Sequence, residues 1–416
     1  MKLYFLGVII INILVIGNGF DIAHGLPTSY RNFLDFVNLV NKTHDALNQN
    51  INPSTKDSYS KDLKKYIKEN ETLKNSLTDL LDKKSSDEIS NDITLIYNLT
   101  HSNFWVNYFN KISNEIGQNW INFEDEISKI VQKLDSEIWS ENILQYKNLL
   151  PKDFTIDKKT LIDLLDKDLY NLTEALEIYL YNYINEIYYF NDIDGKRVRI
   201  VENPDISMLH IDKVLSFNYT NTFERLYATT KKRIQFNYIH GKAQIHGKDT
   251  CNMILGINEY LPLESTNTNI DFIKFKKYFQ RIHKNTGREH REWLDNIKEQ
   301  QDTYTYKLKG YKKIKLAIWF FEKKKKPFKI KNPHKYYHQI YFFGHSLDIV
   351  DKDIIEFLIL NDNVRTYIYY HNTTSYEEKI INLVKIIGKD ELIKRTAGKN
   401  QTIFFLKQTD TIENDT

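Results

Sequence analysis

Four short clusters in the 416-residue chain carry residue types that bind phosphate or move protons. The first, Gly17-Asn18-Gly19-Phe20-Asp21, runs on through His24, Gly25, Pro27 and Thr28. The others are Ser216-Phe217-Asn218-Tyr219-Thr220, His240-Gly241 and Gly344-His345-Ser346-Leu347. Glycine tolerates positive φ and lets a ligand approach the backbone closely. A strand, a glycine turn and a helix in succession present backbone N–H groups to a phosphate. Histidine titrates near neutral pH and can act as a general base. Asparagine offers a donor and an acceptor on one amide.

Each cluster follows an apolar run that reads as a buried strand. Ile13–Ile16 leads into the glycine turn, and Ser29–Phe36 resumes at helical spacing through Tyr30, Phe33, Leu34 and Phe36. Further strands are expected at Val214–Phe217, Ile234–Ile239, Met253–Leu255, Ile340–Phe343, Thr366–Tyr370 and Thr402–Leu406. Helices are expected at Asn221–Thr230, Lys352–Leu360 and Tyr376–Ile387. Polar signals thus gather at the carboxyl ends of strands, the edge where open α/β sheets bind ligands.

Two stretches interrupt this pattern. Between about 40 and 190 the chain reads as helical, with segments at Lys61–Lys83, Ile93–Gly117, Trp120–Leu134 and Leu161–Tyr188 after an expected loop over 40–60. A second interruption at about 265–335 is helical around Phe272–Gln300. It then becomes strongly basic, an expected surface hairpin from Lys307 through Lys323–Lys326 to Lys331, with interleaved Tyr304, Tyr306, Tyr311, Trp319, Phe320 and Phe321. Basic residues among aromatics can bind single-stranded nucleic acid; a solvated charged face is the commoner meaning of such a run. The expected division is a core over 1–38, 206–264 and 336–416, a helical insertion over 39–205 and a helical and basic insertion over 265–335.

A formal net charge of +3 does not call for nucleic acid or a membrane. Cys251 is the sole cysteine, which excludes an internal disulfide or a four-cysteine zinc site and fits a reducing, cytoplasmic setting; no metal site is expected. Lys2 and the apolar run Leu3–Gly17, broken by Asn12, imitate a signal peptide. The run is short for a membrane span and is taken as a lead into the first strand, so a chain begun near Ile11 is expected to stay soluble and active.

The stretch IGNGFDIAHGLPTSYRNF resembles the opening of the phage abortive-infection AbiH-like proteins. It also resembles the sirtuin nucleotide loop, with Gly17-Asn18-Gly19-Phe20-Asp21, Gly25-Leu26-Pro27 and Arg31 at the matching positions. The strand-end clusters at Asn218, His240-Gly241 and Gly344-His345-Ser346 follow in the same order as in sirtuin-like NAD-cleaving domains. The resemblance covers about half the chain and leaves both insertions out. Thr220 stands where that family usually has Asp, and its structural zinc cysteines are absent, which argues against protein deacetylation. Asn119-Trp120-Ile121-Asn122-Phe123-Glu124 resembles a tryptophan–glutamate motif of AbiH-like proteins; Glu124 either reaches the pocket or is a solvated helix acid.

The resemblance implies a Rossmann-like (sirtuin-like) parallel sheet core with a large inserted helical domain. It implies antiphage defence by hydrolysis of NAD to nicotinamide and ADP-ribose, with NAD as substrate or ligand and no cofactor required. Asn218 and His240 are then the catalytic residues, with Asn218 holding the attacking water or a ribose hydroxyl and His240 acting as base. Gly17, Asn18, Gly19, Phe20, Asp21, His24, Gly25, Gly241, Gly344, His345 and Ser346 would contact the nucleotide. The rival expectations are an NAD or ADP-ribose sensor without turnover and a nucleic-acid effector using the basic patch. Partners left open are a second copy of the chain and a phage-derived trigger.

Overall fold

The computed structural model of the chain describes residues 10–49, 86–116, 122–152, 154, 157–185, 202–228, 234–245, 247, 251–260, 270–321, 337–399 and 401–409. The expected helix Lys61–Lys83, residues 1–9, Trp120 and the lysine run Lys323–Lys326 lie outside the described residues.

The strands are β1 (Asn12–Ile16), β2 (Lys213–Ser216), β3 (Gln235–Tyr238), β4 (His338–Phe343), β5 (Val364–Tyr370) and β6 (Ile403–Lys407). They form one six-stranded sheet in the order β3-β2-β1-β4-β5-β6, every neighbouring pair parallel. The direction of winding reverses between β1 and β4. An interior parallel strand is covered on both faces, and β1 shows this residue by residue. Ile13 and Val15 pack with Leu215, Ile340, Phe342 and Leu358 on one face, whereas Leu14 and Ile16 pack with Val214, Phe343, Phe20 and Phe223 on the other.

The helices are α1 (Asn18–Ala23), α2 (Tyr30–Gln49), α3 (Ser86–Thr100), α4 (Phe104–Ile116), α5 (Phe123–Leu134), α6 (Trp139–Leu144), α7 (Lys158–Ile178), α8 (Pro204–Ser207), α9 (Thr222–Tyr227), α10 (Lys277–His283), α11 (His290–Phe321), α12 (Lys352–Leu360), α13 (Thr373–Ile387) and α14 (Lys389–Thr396). Residues of α1, α8 and α9 cover one face of the sheet; α12, α13 and the start of α11 cover the other. A separate helical core, built on Phe33, Phe36, Trp105, Phe109, Phe123, Leu165 and Tyr179, also takes in Met253, Leu255 and Phe275.

Three local expectations are corrected. Residues 40–49 continue α2 instead of forming a loop, because Val37 and Val40 extend the buried stripe begun by Phe33. Met253–Leu255 is not a strand. It lies beside the end of β3, where Ile254 N–H donates to His240 O at 2.8 Å while Met253 and Leu255 turn into the helical core. The basic segment is not a hairpin as far as Phe321, since α11 runs unbroken to that residue and exposes Lys307, Lys309, Lys312 and Lys313.

Candidate active site at the carboxyl edge of the sheet

Register alone brings the clusters together. Ile16 lies opposite Ser216 and Phe343, and Ser216 lies opposite Tyr238. Gly17, Phe217, Ile239 and Gly344 therefore leave the sheet side by side at one edge.

The glycine turn works differently from its sequence expectation. Gly17 has an extended backbone, φ −126° and ψ −176°, and neither Gly17 nor Gly19 has positive φ. What excludes a side chain is the β4 loop. A Cβ on Gly17 would stand 2.8 Å from His345 Cα, and one on Gly19 would stand 2.8 Å from Gly344 O. Gly17 N–H donates to Phe343 O at 3.3 Å and Gly19 N–H to Gly344 O at 2.8 Å, so these two amides are engaged within the fold. The positive φ belongs to Gly344 at +67°, where a Cβ would meet Phe20 N at 2.0 Å, and to Gly241 at +79°, where it would meet Asn252 O at 2.3 Å.

Five ionisable groups from five places in the chain converge next to this turn. His240 Nε2 lies 3.3 Å from Asp351 Oδ1, and His345 Nε2 lies 3.6 Å from Asp351 Oδ2. Lys277 Nζ lies 3.2 Å from Asp351 Oδ1 and 2.8 Å from Glu124 Oε2. All but Glu124, which is nearly buried, are buried residues. Phe217 presents its ring to both imidazoles, 5.4 Å from His240 and 4.3 Å from His345, in each case close to edge-on.

Local structure explains each placement. Asp351 closes a 3₁₀ turn, Ile349–Asp351, that Asp348 caps through Val350 N–H. Lys277 opens α10, where its N–H donates to Ile257 O at 2.8 Å. Glu124 stands in the first turn of α5, whose Asn122 side chain caps Glu124 N–H. Its neighbour Phe123 is held in a stack between Phe109, at 3.9 Å, and Tyr30, at 4.4 Å. His345 accepts Leu347 N–H on Nδ1 at 2.9 Å, while Lys379 Nζ donates to its carbonyl at 2.5 Å.

Burial and pairing set the charges. Burial pushes His240 down to about 4, with Lys277 adding to the effect and Asp351 opposing it. Burial likewise holds His345 at about 4, so both rings are neutral at pH 7. Burial alone would raise Asp351, but Lys277 and the two histidines more than offset it and hold the group charged. Burial works against the Lys277 charge too, yet Asp351 and Glu124 raise its affinity for the proton above the ordinary value. Burial lifts Glu124 to about 7 against the pull of Lys277.

A second group adjoins the first through the 217–220 segment. Asp21 is buried, accepts Thr220 Oγ1–H at 2.6 Å, and is pushed up to about 6 by burial. Asn218 leans on the same carboxylate and moderates that rise, yet neither of its amide atoms makes a full hydrogen bond among the described residues. Asp21 Oδ1 is equally without a partner there. Tyr219 donates its hydroxyl to Ile254 O at 2.6 Å and is hydrogen-bonded by Tyr30 from the start of α2.

Asn218, His240, Gly241, Gly344, His345 and Asp21 thus stand at one edge. Phe20 is buried in the sheet core, and His24 uses both ring nitrogens on Phe20 O (2.6 Å) and Tyr227 Oη (2.7 Å). Asn18, Gly25 and Ser346 are exposed, and Asn18 Oδ1 accepts from Thr28. Sequence reasoning missed Lys277 and Asp351. Asp351 had a signal, an acid immediately before a helix and six residues after His345; Lys277, one lysine among many in an insertion, had none. Among the described residues no group of His, Cys, Asp and Glu is placed to hold a metal ion, and no helix is long and apolar enough to cross a membrane.

The fold and site define a parallel α/β protein with a buried, charged cluster at the carboxyl edge of its sheet, completed by helices from the segments between β1 and β2 and between β3 and β4. The family model described as bacteriophage abortive infection AbiH matches residues 13–370, and the chain belongs to that family. Neither a curated protein nor a solved structure matches it at a significant level.

Proposed function

We propose that the chain serves antiphage abortive infection by binding NAD at the β1–β4 crevice and hydrolysing it to nicotinamide and ADP-ribose. The observation that carries this reading is the set of buried polar atoms without partners, Asn218 Nδ2, Asn218 Oδ1 and Asp21 Oδ1, at that edge. Such an atom costs about 1–3 kcal/mol when left unpaired, a cost that a ligand or water at this edge would relieve. The strand order, with its reversal between β1 and β4, is that of dinucleotide-binding sheets, which hold their ligand at this crevice.

In this reading Asn218 and Asp21 take ribose hydroxyls. Neutral His240 removes a proton from water as its oxygen attacks C1′ of the ribose and nicotinamide leaves with the bonding electrons. The transition state is cationic, and the Asp351 carboxylate next to His240 favours it electrostatically. The long, poorly aligned contact of His240 with Asp351 is common in sites whose substrate completes the geometry. With the Gly17 and Gly19 amides engaged within the fold, the phosphates are not held through them.

The test is nicotinamide release by purified protein. Asn218→Ala and His240→Ala should each lower it on the order of 10²–10⁴-fold while the far-UV spectrum stays native. Near wild-type release from both variants would remove the mechanism. Saturable NAD binding without any release would move the reading to a sensor.

A further inference from the structure

We propose that Asp351 is the positioning residue of the site, and that it makes Nδ1 of His240 the nitrogen that receives the proton. The proposal rests on the hydrolytic reading above for its chemistry; its structural half rests on geometry together with the ionised state of Asp351 beside Lys277. The two oxygens of one carboxylate face the Nε2 atoms of two imidazoles, at 3.3 Å for His240 and 3.6 Å for His345. An ionised carboxylate only accepts hydrogen bonds, so it favours the hydrogen on the Nε2 that faces it, even where the His240 contact is too poorly aligned to count as a hydrogen bond. His345 supplies an independent check. Its Nδ1 accepts Leu347 N–H at 2.9 Å, which in a neutral ring leaves the hydrogen on Nε2, pointing at Asp351.

For His240 the same logic leaves the lone pair on Nδ1. When water attacks C1′, its O–H proton passes to Nδ1 and the new O–C1′ bond replaces the C1′–N bond, whose electron pair leaves with neutral nicotinamide. His240 becomes an imidazolium whose Nε2–H faces Asp351, and it later returns the proton to solvent. The charge on His240 is opposed by Lys277 and Arg281 and favoured by Asp351; His345 faces Asp351, Lys277 and Lys379. Asp351 is held in turn by Lys277, which a second carboxylate, Glu124 of the helical insertion, fixes from its other side. His240 and His345 leave the sheet at β3 and β4, with β2 and β1 between them in the order, and Asp351 is the group that ties their orientations together.

The experiment is a multiple-bond ¹⁵N–¹H spectrum of the full-length wild-type chain, labelled at histidine, at pH 7.5. His240→Gln and His345→Gln identify the two resonance sets. Both rings should show the neutral Nε2–H form; an Nδ1–H form of His240 overturns the proposal, and this readout needs no Asp351 variant to fold. Asp351→Asn should then lower the His240 titration midpoint and reduce kcat for nicotinamide release on the order of 10²–10⁴-fold, with KM within about twofold. A variant with wild-type kcat, or one that changes only KM, also overturns it. If wild-type protein releases no nicotinamide, hydrolysis fails by itself, and the tautomer of His240 still decides whether Asp351 positions the rings.

Discussion

Replacing Asp21 with asparagine should stabilise the protein at neutral pH, although the residue is buried and hydrogen-bonded. Burial raises its proton affinity from the ordinary 3.8 to about 6 in spite of the Thr220 hydroxyl at 2.6 Å. Each pH unit of such a rise corresponds to about 1.4 kcal/mol, so keeping this carboxylate charged at pH 7 costs the fold about 3 kcal/mol. The native state binds the Asp21 proton more tightly than the unfolded chain does. Stability from this group is therefore complete below about pH 4 and is lost as pH rises through 6. An asparagine side chain would avoid the charge and keep the Thr220 contact, but it would place an NH₂ or carbonyl where Oδ1 now has no partner. Deducting about 1 kcal/mol for that group leaves an expected gain of about 2 kcal/mol. Guanidinium denaturation of Asp21→Asn and wild type at pH 7.5 and pH 4 measures it. The gain should be present at pH 7.5 and absent at pH 4, and nicotinamide release should fall although the protein is more stable. A variant less stable than wild type at pH 7.5, or a difference that ignores pH, would refute the reasoning.

Gly344→Ala should cost at least about 2 kcal/mol, because φ is +67° and a Cβ would press on Phe20 N; Gly25→Ala, at φ +74° in open space, should cost only about 1 kcal/mol, and equal denaturation midpoints would contradict this. Lys277→Met leaves Asp351 and Glu124 buried without their cation and should destabilise by about 3–5 kcal/mol, with the loss smaller at pH 5 than at pH 8 as carboxylates protonate; an unaltered unfolding curve would show that the lysine does not compensate them. Replacing the exposed Lys307, Lys309, Lys312 and Lys313 with Gln should move stability by less than about 0.5 kcal/mol and leave nicotinamide release intact, and a salt titration of binding to a single-stranded oligonucleotide decides whether this half of α11 holds polyanions.

The sheet was largely legible because both signals that define a buried parallel strand are local: a branched apolar run and a polar residue where it ends. Ile13–Ile16, Ile340–Phe343 and Thr366–Tyr370 each fall within an observed strand, and the clusters after them share one edge because parallel register aligns strand ends. Met253–Leu255 misled because burial in the helical core and burial in a sheet produce the same short apolar run. The glycine turn was located correctly but explained by the wrong cause. Local sequence can announce that a side chain is forbidden at Gly17 and Gly19, not that the crowding comes from Gly344, more than 300 residues away. Asn218, His240 and His345, singled out at strand ends, do stand together at one edge, and Glu124 was left between two roles. Lys277 and Asp351 were missed because their importance lies in a pairing that the sequence separates by 74 positions.

That pairing ties the helices between the strands to the sheet edge. His240, His345 and Asp351 come from the sheet and its connections, and by themselves they would bury one negative charge beside two imidazoles that burial keeps neutral. A lone buried carboxylate would regain its proton. A cation must therefore enter from outside the sheet, and the structure supplies Lys277 from the segment between β3 and β4. One lysine against one aspartate would leave the ammonium with unused donors, since it has three. Glu124, from α5 between β1 and β2, takes another of them at 2.8 Å. Glu124 loses its proton only near pH 7, so the cluster stands close to the point where it gains a net negative charge. The segment between β1 and β2 and the segment between β3 and β4 thus meet at a single ammonium group, whose charge His240 feels through Asp351.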